Sequence, residues 1–443
     1  MIIAGVVMAN MPFMGKRPPK RVAKLLKPSE VFTPRSHTVT EMYVARPSLE
    51  RALTGIFDSN EVRYLYGYSG SGKTWLYKSV FKSENVYSYP IGFQDLTEGR
   101  TLDDLIQHHL GSLGVRAESS TTDVVSGEAK LGGIGATGQR STRFKPFERQ
   151  PLEMLLETIR RFASERRAVL VFENIERGIR RPDVVADLAK IIMSVDSDSF
   201  AAHDVRILLV GTVKDLVYQL SELRDSAPIL TRLETLPEVS RMAESEAKEL
   251  VEGGLFDRLA LNADDKAKVV KRALERTDRL PLHIHGYCLE IANEAVDRER
   301  KIDAVAENNG FHRWVDRRVA QHAGPVFAHM NSKDTAQKVR TRVLYVAANT
   351  RLPEFRSLDV KNMLDGEWPD MDIANGSIST ALNELAGEAA RTRGKVDPVL
   401  ERVSRAGVNH YRFTDPVYRI AAKIGLKKNA AGEIEREEIL GGM

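Results

Sequence analysis

The chain has 443 residues, 42% of them hydrophobic, and a formal net charge of +4. That length supports two or three domains with cores of their own, and so small a net charge selects no class of partner by itself. The single cysteine, Cys288, excludes an internal disulfide and a cysteine-based metal cluster and fits a reducing cytoplasm, while no apolar run is long enough for a membrane span.

Residues 1–40 read as a basic arm. Met1 to Arg35 carries seven Lys/Arg against one acid, Glu30, and Pro18, Pro19, Pro28 and Pro34 interrupt any long helix, so the arm is expected to be extended and flexible. The apolar start has its basic residues after it and not before, unlike a secretion signal, and Met1, Met8, Met11 and Met14 are all eligible as translation starts. Order begins near residue 41, where Ser48 is expected to cap a helix carrying Leu49, Leu53 and Ile56 on its apolar side.

The stretch Gly67-Tyr68-Ser69-Gly70-Ser71-Gly72-Lys73-Thr74 matches the phosphate-loop pattern G-x-x-x-x-G-K-[ST] at every fixed position. The β-prone run Val62 to Tyr66 precedes it and a helix-like run from Trp75 to Phe81 follows, which is the context the motif needs. Glycines let successive N–H groups converge on phosphate oxygens, and the helix starting there aims its positive end at the same place. Lys73 is expected on the β- and γ-phosphates of ATP, and Thr74 on Mg²⁺.

Strand-like and helix-like segments then alternate: a strand at Val86 to Tyr89, a helix opening at Thr101, a helix from Leu152 to Phe162, and buried strands at Ala168 to Phe172, Ile207 to Val210 and Leu233 to Leu236. That alternation predicts an α/β fold, a parallel sheet covered on both faces, spanning residues 41–239. Residues 117–147 interrupt it as a Gly-rich insertion, a hairpin or mobile segment. Gly133 to Gly138 inside it matches G-x-G-x-x-G, but no strand precedes and no helix follows, so it reads as a decoy.

Glu173 ends the apolar run Val169-Leu170-Val171-Phe172 and is the expected carboxylate for Mg²⁺. In ring-forming ATPases the next position is normally a second acid that polarises the attacking water. Here it is Asn174, which orients water but takes no proton. Glu176 is then the nearest substitute base, and hydrolysis is expected to be slow unless Glu176 performs the role. Thr212 ends the next strand and is a candidate γ-phosphate sensor, and Arg224 and Arg232 are candidates for an arginine finger acting across a subunit interface.

Residues 240–335 turn helical: Ala243 to Glu252, Ala263 to Glu275 capped by Asn262, and Leu282 to Val296 with Pro281 in its first turn. His283 and His285 point to different sides of that helix with no acids at metal-ligand spacing, so both read as structural. Residues 336–426 give three helices (Val343 to Ala348, Ser357 to Leu364, Ser377 to Leu385 capped by Ser377), two strands (Val399 to Val403, His410 to Phe413) and a helix from Pro416 to Ile424. This is the winged-helix order. Residues 427–443 are polar and expected to be disordered.

Tyr43-Val44-Ala45-Arg46-Pro47, the phosphate loop, Phe172 to Arg177, Leu209 to Thr212, Leu280-Pro281 and Tyr411 to Pro416 come in succession. Over about residues 40–425 the chain resembles the AAA+ and STAND class of P-loop ATPases, most of all the branch with a helical lid and a C-terminal winged helix. Origin-recognition ATPases, transposition regulators and STAND signalling switches share that plan. The resemblance implies an ATP- and Mg²⁺-dependent switch with Arg46, Gly67, Ser69, Gly70, Ser71, Gly72, Lys73, Thr74, Trp75 and Pro281 around the nucleotide, and Arg279 as a candidate lid sensor. It implies an oligomer of this chain formed when ATP binds, acting on an effector or partner protein, as in bacterial defence. The rival is a DNA-binding ATPase that uses the basic arm and the wing (Arg391, Arg393, Lys395, Arg402, Arg405), although the helix at Ser377 to Leu385 holds no Lys or Arg. A kinase-like enzyme is disfavoured, because lid and winged-helix units stand in place of an acceptor-binding domain.

Overall fold

A computed structural model describes residues 26–34, 40–115, 150–212, 215–332, 335, 337–389, 396–405, 407–437 and 439. The expected Gly-rich insertion with its decoy motif, most of the basic arm, and Arg391, Arg393 and Lys395 of the wing lie outside the described residues, as does the side chain of Arg405.

Five parallel strands form the central sheet: β1 (Val62–Tyr66), β2 (Tyr87–Gly92), β3 (Ala168–Glu173), β4 (Val205–Gly211) and β5 (Leu233–Thr235), in the order β2-β3-β4-β1-β5. Successive side chains in a strand point to opposite faces. Tyr64, Leu170, Phe172, Ile207 and Leu209 therefore pack under the helices Pro151–Ala163 and Pro182–Ser194. Leu65, Val169, Val171, Leu208 and Val210 pack on the other side against Leu53, Leu76, Tyr77 and Phe81. Burial on both faces explains why β3 and β4 read as unbroken apolar runs. Pro90 sits in β2, an edge strand, where a missing N–H is tolerated.

A third cluster runs without a break through the lid and the C-terminal unit, taking in Leu250, Ile284, Ile291, Trp314, Leu344, Leu382 and Ile420. The C-terminal unit follows the expected order: helices Val339–Asn349, Ser357–Glu367 and Asn375–Leu385, an antiparallel hairpin of Leu400–Arg405 with Val408–Phe413, and the helix Pro416–Gly425.

Several expectations are corrected. The arm is not extended throughout: Pro28–Val31 is a short helix with Pro28 in its first turn, and Val31 and Phe32 are buried in the lid cluster. Gly254 makes room for Phe32, since a Cβ there would lie 2.3 Å from Phe32 Cζ. The segment after Lys427 is not disordered as a whole. Leu426–Lys428 pairs with Ile434–Arg436, Leu426 and Ile434 are buried, and Trp368 Nε1 donates to the Gly432 carbonyl at 2.7 Å.

Three caps also move. Arg46 precedes a helix that starts at Pro47, so Ser48 lies inside it. Asp265, not Asn262, accepts from Lys268 N at 2.9 Å and opens the helix Lys266–Thr277. Ser377 lies inside a helix that begins at Asn375. Pro47 and Asn375 start their helices sooner than the apolar spacing indicates, and Asp265 starts its helix later. No helix among the described residues is long and apolar enough to cross a membrane.

Candidate nucleotide site

Parallel strands gather their following loops at one edge, and the candidate site lies there. The loop 67–72 leaves β1, residues 174–178 leave β3, and Gly211-Thr212 ends β4. Together with the lid they line a cleft of about 270 Å³.

Gly70 has φ +77, and a Cβ on it would lie 2.6 Å from Leu282 Cβ, so both backbone conformation and closeness to the lid require glycine. Leu282 N, in the first turn of the lid helix Pro281–Val296, donates to the Gly70 carbonyl at 3.2 Å. The lid thus begins on the phosphate loop itself. Pro281 lines the cleft beside it.

The helix Lys73–Ser83 starts inside the cleft. Lys73 Nζ donates to the carbonyls of Gly67 at 2.7 Å and Tyr68 at 2.8 Å. Burial pushes its ammonium down from 10.5 to about 8, against the pull of Glu176 and Glu238. Ser71 is fully buried, and among the described residues its Oγ has no hydrogen-bond partner. Thr74 Oγ1 donates to Glu173 Oε1 at 3.4 Å, and Tyr77 OH donates to the same oxygen at 3.0 Å.

Asn174 takes φ 57, a left-handed conformation that Asn tolerates better than most side chains. Its Nδ2 donates to Gln94 Oε1 at 2.8 Å. Glu176 Oε2 accepts from the Thr212 backbone N–H at 3.2 Å, which puts both residues at the rim where a water would approach the loop.

Arg46 lines the cleft, but its guanidinium is taken up within the chain. It donates to the carbonyls of Ser71 at 3.3 Å, Ser240 at 3.1 Å and Arg241 at 3.2 Å, and pairs with Glu246 at 3.3 Å. It braces the phosphate loop against the strip that enters the lid. Arg232 is placed elsewhere. Its carbonyl accepts from Val62 N, at the start of β1, so it sits at the opposite edge of the sheet, bonded to Asp196. Arg224 is exposed. Arg279 is half-buried, and its carbonyl accepts from Met242 N.

At the apolar end of the cleft lie Met42, Val44, Met242, Leu250 and Trp75. His285 lies 5.1 Å from the Trp75 ring and lines the cleft as well. Burial pushes it down to about 4, so the neutral ring accepts the Thr33 N–H at Nδ1 (3.1 Å). Thr33, Gln94 and Tyr77 join the site through contacts distant in the chain that no local pattern announces.

Two hard oxygen donors, Thr74 and Glu173, a buried unpartnered hydroxyl on Ser71 and a lysine held only by carbonyls fit a magnesium-bound triphosphate. Among the described residues no group of three or more His, Cys, Asp or Glu is placed to hold a metal. A cation here would take most of its ligands from phosphates and water, as Mg²⁺ ordinarily does.

Residues 58–218 match a family model described as an AAA domain. The matched residues take in β1 to β4, the phosphate loop and Glu173. No curated protein sequence matches the chain. A Walker-type ATPase of Pyrococcus abyssi is 15% identical with a TM-score of 0.51, over 89% of this chain and 100% of that one, a likeness of fold. More distant are the ORC2 protein of Aeropyrum pernix in its ADP form (11% identity, TM-score 0.48, 90% and 98% covered) and the ORC1 protein of the same organism in complex with DNA (12%, 0.41, 89% and 96%).

Proposed function

We propose that this chain is a slowly hydrolysing ATP-driven switch whose C-terminal unit responds to the filling of the phosphate loop. One chain of contacts carries the reading. Lys73 holds the Tyr68 carbonyl at 2.8 Å, the Tyr68 hydroxyl donates to the Phe413 carbonyl at 3.2 Å, and Arg412 lies 5.1 Å from the Tyr68 ring centroid. A triphosphate gives the Lys73 ammonium a stronger partner than two carbonyls. Lys73 then lets go of the residue that grips the C-terminal hairpin. Arg412 is held further by Glu238 at 3.2 Å, Glu354 at 3.7 Å and Glu401, so the hairpin meets the phosphate-loop side of the protein through a compact polar knot. The proposed switch is the making and breaking of this knot.

Glu173 and Thr74 hold Mg²⁺ in this reading, and the loop amides and Lys73 hold the phosphates. The metal supplies charge neutralisation at the phosphate oxygens. Asn174 orients water without taking its proton, and Glu176, beside Thr212, is the nearest carboxylate that can. Turnover is slow for that reason. ATP-dependent assembly of copies of this chain and action on a partner protein complete the proposal; they rest on the AAA+ class and on the freeing of the hairpin. The DNA-binding alternative is weaker, because the helix Asn375–Leu385 offers no basic side chain and its Glu384 is buried against Arg340.

Calorimetry with Mg-ATP and light scattering on the same sample test the reading. The wild-type chain should release or absorb heat and gain mass with ATP, and Lys73→Ala should do neither. A well-folded wild type that binds no magnesium nucleotide overturns it.

A further inference from the structure

We infer that Tyr77 is a positioning residue for the magnesium-facing carboxylate: its hydroxyl fixes the pose in which Glu173 meets Thr74. The inference rests on the nucleotide reading above. Glu173 carries one more methylene, and so one more rotatable bond, than an aspartate at the end of β3. A longer carboxylate reaches further but is held less firmly unless something restrains it. Tyr77 supplies the restraint. It lies four residues after Lys73 in the same helix, hence on the same face one turn on.

The ring is 1% exposed, packed in the cluster that holds Leu65, Val80, Val169 and Val171, with its centroid 5.6 Å from that of Phe81. That packing leaves the hydroxyl little freedom. It donates to Glu173 Oε1 at 3.0 Å, against 3.4 Å for the donation from Thr74, so Tyr77 makes the closer contact. Among the described residues Oε2 accepts no hydrogen bond. Tyr77 thereby commits one oxygen and leaves the other for a metal-bound water. Residues that orient a metal-facing carboxylate in this manner usually matter for metal affinity more than for the fold.

The alternative is a buried phenol that has found an acceptor. Tyr77→Phe separates the two, because it keeps the ring and removes the donor. Binding of a fluorescent ATP analogue is measured in EDTA and then across a Mg²⁺ titration. Affinity in EDTA should stay within about twofold of wild type, while the Mg²⁺ concentration for half-maximal effect should rise about tenfold. In a Glu173→Asp background, where the shorter carboxylate no longer reaches the hydroxyl, the same change should have no further effect on the titration. An unchanged Mg²⁺ requirement, or equal losses with and without Mg²⁺, overturns this inference alone. A wild-type chain that binds no nucleotide overturns the proposed function and this inference with it.

Discussion

The Tyr68 hydroxyl meets the Phe413 carbonyl at 3.2 Å and joins the phosphate loop to the C-terminal hairpin across 345 positions of sequence. Burial pushes the phenol well above its ordinary value, so it stays a donor at neutral pH. Tyr68→Phe removes that donor and keeps the ring under Arg412. The expected cost is about 1 kcal/mol of docking, roughly a fivefold larger undocked population. Hydrogen exchange at the amides of Val408–Phe413 should quicken by that factor without nucleotide. Unchanged exchange would remove the hairpin from the switch.

Nucleotide affinity should depend on pH through Lys73. Its ammonium titrates near 8 in the free chain, and a bound phosphate raises that value. Binding therefore takes up a proton above pH 8, and affinity should fall by up to about tenfold per pH unit there, while staying flat below it. Lys73→Arg stays charged and should lose the dependence. The same depressed pKa bears on folding. The unfolded chain holds this proton up to 10.5 and the folded chain only to about 8. The Lys73 contribution therefore makes the fold more stable as pH rises between those values. A flat affinity profile from pH 7 to pH 9.5 would contradict the burial of Lys73.

Two substitutions assign the base. Glu176→Gln keeps an oxygen for the Thr212 N–H but cannot take a proton, and should lower phosphate release by about 10²-fold if Glu176 is the base. Asn174→Asp places a carboxylate on a residue type that also tolerates the left-handed conformation, and should raise turnover by roughly tenfold or more. Steady-state phosphate release checks both. Glu176→Gln at the wild-type rate would leave this chain without a base of its own.

The N-terminal segment should stabilise the lid. Phe32 is 1% exposed, and Phe32→Ala should cost about 3–5 kcal/mol, seen as a lower melting temperature. Gly254→Ala should be nearly as harmful, because its Cβ would collide with the Phe32 ring. A melting temperature unaffected by Phe32→Ala would mean the segment is not held in solution.

The parts legible in the sequence were those whose signal is local. Gly67 to Thr74 carries its pattern in eight consecutive residues, and Val169 to Phe172 shows its burial as an unbroken apolar run. Pro281 and the order of the C-terminal elements were likewise readable from spacing. What escaped has its cause far along the chain. Phe32 looked like one apolar residue in a basic arm, because the space that receives it is made by Gly254. Ile434 lies in the stretch that reads as a polar tail, and the lid and C-terminal helices give it a surface to pack on. Arg46 followed the family pattern by position, yet its bonds to Ser71, Ser240 and Arg241 make it a brace within the protein.

Val31, Ile284 and Ile420 belong to one continuous apolar cluster. Cutting the chain between lid and hairpin would open an oily face to water on both pieces, so the two cannot travel separately. In the proposed switch the two would therefore respond to the phosphate loop as one body.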